Sequence, residues 1–185
     1  MTILLFTEDD VTGEAIRILA KKILPQTGKP PRILQRAIPR GDIFKPEKIS
    51  AYVMRVKQEY GSRTKVIICV DSECTDSRIT EENLIPSKKA LRTSADFVVV
   101  VHALETWLLA DANALRMVLG KNIKISDSFE RECQPKMMLG DILLKHQRRV
   151  LRNDDHIKIS KQVAPDIVAK RCASFKKFRE ILLRK

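Results

Sequence analysis

An α/β domain is what this sequence predicts: a four-stranded parallel sheet flanked by helices, followed by a helical carboxy-terminal extension. Three observations predict it. Short, continuous apolar runs recur along the first hundred residues, with Lys65-Val-Ile-Ile-Cys-Val-Asp71 the clearest. Between them lie stretches whose apolar residues repeat at helical spacing. Beyond His102 the pattern turns helical and stays so. Continuous apolar strands alternating with amphipathic helices indicate a parallel sheet covered on both faces, with right-handed crossovers.

Thr2 to Thr7 is the first apolar run, and Val11 to Leu24 follows with Ile16, Leu19, Ala20 and Ile23 on one helical face. Pro25, Gly28, Pro30 and Pro31 break that helix, and Arg32 to Ile38 reads as a second strand bounded by Pro39 and Gly41. Pro46 suits a first helical turn, and Ile49, Val53 and Val56 keep helical intervals as far as Gly61. After the third strand, Lys65 to Asp71, a helix is expected from Thr80 to Arg92 and a fourth strand from Asp96 to His102. Ala103 to Asp111 and Ala112 to Leu119 read as two short helices or one bent one, stopped by Gly120. Further helices are expected at Pro135 to Leu151, Pro165 to Lys170 and Ser174 to Leu183, the last with Ser174 as N-cap. Residues 1–111 form the α/β core of this reading and 112–185 a basic helical extension packed on it as one unit.

With 185 residues, 44% hydrophobic and 31% charged, the chain has the composition of one folded domain. No apolar run approaches the roughly 20 residues that cross a bilayer. The amino terminus reaches Glu8-Asp9-Asp10 directly after its first strand and has no basic region before it, which predicts no signal peptide and a cytoplasmic protein. Cys69, Cys74, Cys133 and Cys172 form no CxxC pair and have no histidines at zinc-site spacing, so reduced, mostly buried thiols are expected. The net charge of +12 is uneven: residues 112–185 hold 18 Lys and Arg against 8 Asp and Glu, and account for +10 of it. Such a field favours polyanions, nucleic acid first among them, although an acidic protein partner suits the same charge. Aromatic residues make up only 5% of the chain, which gives no sign of base stacking.

The carboxyl ends of parallel strands form the rim where α/β proteins bind ligands. Glu8, Asp9 and Asp10 follow the first strand, and Asp71, Ser72, Glu73 and Asp76 end and follow the third. Hard divalent cations take oxygen ligands, commonly one or two carboxylates with water and phosphate. Asp71 and Glu73, two residues apart, would point to one side of an extended backbone and share an ion; alternatively Asp71 caps the next element and Glu73 is solvated. Glu105, just past the fourth strand, reads either as a further ligand or orienting acid at the same rim, or as a carboxylate favoured by a helix amino terminus. His102 has two readings, a general base and a hydrogen-bonded structural residue. Trp107, Leu108 and Leu109 are expected in the core. Lys136 and Arg171 are the basic residues expected to hold phosphate, and Lys145, Arg148, Arg149, Arg152, Lys170, Lys176 and Lys177 read as solvated helix faces. Asp111 and Asp76 carry no assigned role.

Glu8 after the first strand, the Asp71-x-Glu73 pair after the third, and four parallel strands together resemble the Toprim fold of topoisomerases, primases and OLD-type nucleases. That resemblance implies Glu8 as general acid/base and the Asp71 and Glu73 pair holding Mg²⁺; from its place on the same rim Glu8 also reads as a ligand of that Mg²⁺ or Mn²⁺. Asp9 stands here where those proteins usually have Gly, and the pair reads D-x-E where theirs reads D-x-D. His102-Ala-Leu-Glu-Thr-Trp-Leu-Leu-Ala-Asp111, Pro135-Lys136 and Arg171-Cys-Ala-Ser-Phe-Lys-Lys-Phe178 resemble domain-of-unknown-function family 4276, a Toprim-like group, over nearly the whole chain. The resemblance to family 4276 implies the fold more than a reaction; the Toprim resemblance implies an Mg²⁺-dependent nucleic-acid phosphodiesterase with an ATPase partner in phage defence, to which the position of Glu105 after the fourth strand adds a supporting acid. No P-loop motif is present, so the chain is not expected to be that ATPase. The alternative expectation is a non-catalytic module on the same fold that binds nucleic acid or protein.

Overall fold

The structure, a computed structural model, describes residues 1–25, 28–120, 123–125, 129–131 and 133–184. Its α/β half runs β1 (Thr2–Thr7), α1 (Asp10–Ile23), β2 (Arg32–Ala37), α2 (Arg40–Ile43), α3 (Pro46–Tyr60), β3 (Lys65–Asp71), α4 (Ser77–Asn83), α5 (Ile85–Leu91) and β4 (Asp96–Val100). The helical half continues with α6 (Leu104–Leu109), α7 (Ala112–Leu119), a 3-10 turn at Phe129–Arg131, α8 (Pro135–Gln147), α9 (Asn153–Gln162), α10 (Pro165–Arg171) and α11 (Ala173–Leu183).

All four strands are parallel, in the order β2-β1-β3-β4, so the predicted sheet is present. Successive strand residues face opposite sides, which is why uninterrupted apolar runs mark strands buried on both. Ile3, Leu5, Ile67, Cys69, Val98 and Val100 enter one core, and Leu4, Phe6, Ile68, Val70, Phe97 and Val99 the other. Helix α3 covers the second core through Ile49, Val53 and Val56. The first is deeper: α1 and the carboxy-terminal helices share it, with Leu19, Leu143, Ile159, Val168 and Phe178 all within one apolar cluster. Trp107 lies at its centre, fully buried as its sequence context predicts, with ring centroids 5.0 Å from Phe175 and 5.5 Å from Phe178.

Several expectations are corrected. The helix expected at Thr80 to Arg92 is two helices joined at Leu84, because Pro86 has no N–H to give an unbroken helix and sits instead in the first turn of α5. The fourth strand stops at Val100, two residues short of His102. Helix α8 ends at Gln147, where Arg148 adopts left-handed backbone, and not at Leu151. Ser174 is not an N-cap: α11 already begins at Ala173, and the Ser174 hydroxyl accepts the Trp107 indole N–H at 2.9 Å. Helix α9 was not foreseen, since its sequence is predominantly polar and shows no broad apolar stripe. Cys74 and Cys133 are not thiols but a disulfide, with Cα atoms 4.8 Å apart. Their separation of 59 residues leaves no local signal, and the link exists because the turn before α8 folds against the loop after β3. Cys69 and Cys172 are free and buried, as expected. Among the described residues no helix is long and apolar enough to cross a membrane.

Candidate functional site

Strand order reverses between β1 and β3, since β2 lies beyond one and β4 beyond the other. At such a point the connections leave toward opposite faces of the sheet and a crevice opens past the strand ends. Glu8 follows β1 at this switch point, and Asp71 is the last residue of β3. The Glu8 carboxylate accepts the backbone N–H of Asp71 at 3.1 Å, which brings Glu8 against the end of β3.

Arg40, which the sequence did not mark, holds this junction together. It opens α2, directly after Pro39. Its Nη1 donates to Glu8 Oε1 at 2.6 Å and to the backbone carbonyl of Asp71 at 2.5 Å, while Nε stands 3.9 Å from Glu73 Oε1. Phe44 supports the guanidinium from one face at 5.5 Å. Burial pushes the Glu8 carboxyl above its ordinary range, and Arg40 offsets only part of that rise. Asp71 is pushed well above its ordinary value, by burial first and then by the charges of Glu8, Glu105 and Asp9, with Arg40 again opposing.

Glu73 lies apart from the predicted arrangement. Extended backbone stops at Asp71, and Glu73 has φ 52°, so the two side chains do not leave a continuing strand on one side. The turn is fixed by three bonds to the neighbouring strand's exit: Ser72 N–H to the Val100 carbonyl at 2.9 Å, Glu73 N–H to the His102 carbonyl at 2.8 Å, and His102 N–H to Ser72 Oγ at 2.8 Å. The Glu73 side chain is 65% exposed, and its ion-pair contact among the described residues is the one to Arg40. His102 is tied in by the same turn, its Nδ1 2.6 Å from the Glu73 carbonyl and its Nε2 3.1 Å from that of Glu130.

Glu105 is buried in the first turn of α6, and its charge reaches Asp71. Its Oε1 lies 2.7 Å from His156 Nε2 on α9, and both side chains are over nine-tenths buried. Burial alone would lower the imidazole, but the hydrogen bond and charge of Glu105 outweigh it and raise His156. Sequence reasoning missed His156 because it missed α9; an isolated His in a polar stretch carries no spacing signal. Lys136 is exposed at the start of α8, and its charge weakly opposes His156 protonation. Arg171 is committed elsewhere: Nη1 donates to the Ala110 carbonyl at 2.8 Å, and the guanidinium lies 4.7 Å from the Phe129 ring centroid.

Asp9, Asp76 and Asp111 are capping groups. Asp9 caps α1 by accepting the Thr12 N–H at 2.8 Å, Asp76 caps α4 through the Arg78 N–H, and Asp111 caps α7 while also accepting the Ala164 N–H at 2.8 Å. Among the described residues no group of three or more His, Cys, Asp or Glu side chains stands ready as a metal-ligand set. The oxygen donors of Glu8 and Asp71 nevertheless suit Mg²⁺, which is held by one or two carboxylates with water and phosphate completing its shell. The raised Asp71 carboxyl marks a spot where added positive charge is favourable. Comparison with known proteins found no matching family model, no matching curated protein and no matching solved structure.

Proposed function

We propose that the crevice between β1 and β3 binds Mg²⁺ or Mn²⁺ and cleaves phosphodiesters of nucleic acid, as the Toprim resemblance implies. The observation that carries this reading is the contact of the Glu8 carboxylate with the end of β3 at the strand switch, where burial raises the Glu8 and Asp71 carboxyls by more than Arg40 lowers them. A bound cation supplies Lewis-acid polarisation of a phosphoryl oxygen. Asp71 and Glu8 are the oxygen donors that would hold it. Glu8, with its carboxyl raised by burial, is also suited to take up and pass on a proton. Glu105, held by His156, adds negative charge behind Asp71, and exposed Lys136 offers a phosphate contact on the approach from α8. The basic excess of residues 112–185 favours a polyanion as partner. This reading also places the protein in the cytoplasm, with nucleic acid as its partner.

One observation favours a second reading. Arg40 lies 2.6 Å from Glu8, within the space a cation on that carboxylate would share, as befits a module that binds without a metal. Titration with Mn²⁺ in a calorimeter, paired with cleavage of plasmid DNA and of RNA, separates the two. Metal binding and cleavage that both disappear in Asp71→Asn, with salt-sensitive nucleic-acid binding retained, is the result expected of the enzyme. Binding of nucleic acid without metal uptake or cleavage overturns it in favour of the module.

A further inference from the structure

We propose that Cys74–Cys133 is a redox modification site, a reversible latch that fastens the Glu73-bearing loop to the turn before α8. The inference goes beyond the phosphodiesterase reading and does not rest on it. Cys74 is exposed, so a soluble thiol can reach its sulfur, and Cys133 is half-buried. Neither half-cystine belongs to either apolar core, whereas the free thiols Cys69 and Cys172 are buried in one of them. The bond therefore joins two surface segments across the rim and is not a staple within the core.

What it fastens is specific. Cys74 follows Glu73, which holds left-handed backbone at φ 52°, and across the loop His102 does the same at φ 57°. Non-glycine residues occupy that region only when their surroundings impose it. His102 spans the same two segments as the disulfide, with one ring nitrogen at the Glu73 carbonyl and the other at that of Glu130. Covalent bond and imidazole bridge act in parallel between these two segments, so opening the first leaves the imidazole, beside the turn's own hydrogen bonds to Val100 and His102, to hold the loop against the turn before α8. Glu73 and its contact with Arg40 then gain freedom, while the sheet and both cores stay intact.

The exchange is a two-electron step with a thiol reductant of the glutathione or dithiol class. A thiolate attacks Cys74 Sγ, the S–S bond breaks, and Cys133 leaves as a thiolate that takes up a proton. A second thiol attacks the mixed disulfide, releasing Cys74 as a thiol and the reductant as its own disulfide. Oxidised glutathione reverses both steps.

The test uses the full chain equilibrated in oxidised and in reduced glutathione, with alkylation of thiols read by mass spectrometry and backbone hydrogen exchange measured in each state. Expected is labelling of Cys74 and Cys133 on reduction only, with Cys69 and Cys172 protected throughout. Amide exchange in peptides covering residues 72–77 should quicken about tenfold while β1 and β3 do not change. The double substitution Cys74→Ser and Cys133→Ser should reproduce the reduced pattern in either buffer. Three results overturn the latch: no bond between these cysteines in oxidised glutathione, unchanged exchange on reduction, or exposure of Cys69 and Cys172, which would make the disulfide a structural staple.

Discussion

Asp71 and Asp155 each have an arginine close by, yet their carboxyls are driven in opposite directions. Asp155, 1% exposed, receives both terminal nitrogens of Arg149 at 2.6 Å and the backbone N–H of Arg152 at 2.8 Å. Its carboxyl is held below the ordinary range, by the Arg149 hydrogen bonds above all. Arg40 instead directs its donors to Glu8 and to the backbone carbonyl of Asp71, while Glu8, Glu105 and Asp9 press on the Asp71 carboxylate. A charge that serves the fold is neutralised where it lies. A charge kept short of compensation at a strand switch marks a candidate for a functional site.

The largest effect should come from breaking the satisfied pair. Asp155→Ala leaves Arg149 without its partner and uncaps α9, and should cost about 3 kcal/mol by chemical denaturation; a loss under about 1 kcal/mol would remove the contrast. Because the Asp155 carboxyl is lowered, its contribution is present above the unfolded aspartate value and is lost as pH falls through the folded one. Next in size is the ligand effect at the other aspartate. Mn²⁺ at a hundred times its Kd should stabilise the chain by about 2.7 kcal/mol in a thermal melt, and by nothing in Asp71→Asn. Equal stabilisation of both proteins would mean that the ion binds away from the crevice.

The sheet was legible because its evidence is local: Val66 to Val70 and Phe97 to Val100 are unbroken apolar runs, and such runs have few other homes. Glu8 and Asp71 were legible for a related reason, since a strand's end can be read from the strand. Arg40, His156 and the disulfide were not. Arg40 reaches the site across 32 residues of sequence to Glu8, and His156 reaches Glu105 across 51, so both depend on packing that no spacing encodes. Helix α9 hid its histidine further, because it owes its place to Ile159 and the Asp155 cap more than to periodicity. Arg171 shows the converse. Its basic context suggested phosphate, whereas the Ala110 carbonyl and Phe129 already occupy it.

A smaller effect sharpens the comparison from within the crevice. Asp71→Asn, measured without metal, should raise stability at pH 7 by on the order of 1 kcal/mol, since the native carboxylate is the form that burial disfavours. A carboxyl raised on folding favours the native state most below its unfolded value and loses that contribution as pH rises through the folded one. The advantage of the variant should therefore fade on acidification toward pH 4, near the ordinary aspartate value, and a gain constant across pH would point to packing and not to charge.

The smallest effect tests whether Glu105 belongs with the satisfied acids or the crowded ones. It does both: it presses on Asp71, yet His156 receives it at 2.7 Å. The raised imidazole contributes stability that is complete below the unfolded value of about 6.5 and disappears as pH climbs through the folded one. Between pH 6 and pH 8.5 the wild type should lose a few tenths of a kcal/mol, about the low end for a charge-assisted hydrogen bond opposed by burial. Glu105→Gln keeps the shape and removes the charge, so that slope should flatten, and the Asp71 carboxyl should titrate lower by NMR. Flattening without movement of Asp71 would leave Glu105 a partner of His156 alone, and the crevice would then rest on Glu8 and Asp71.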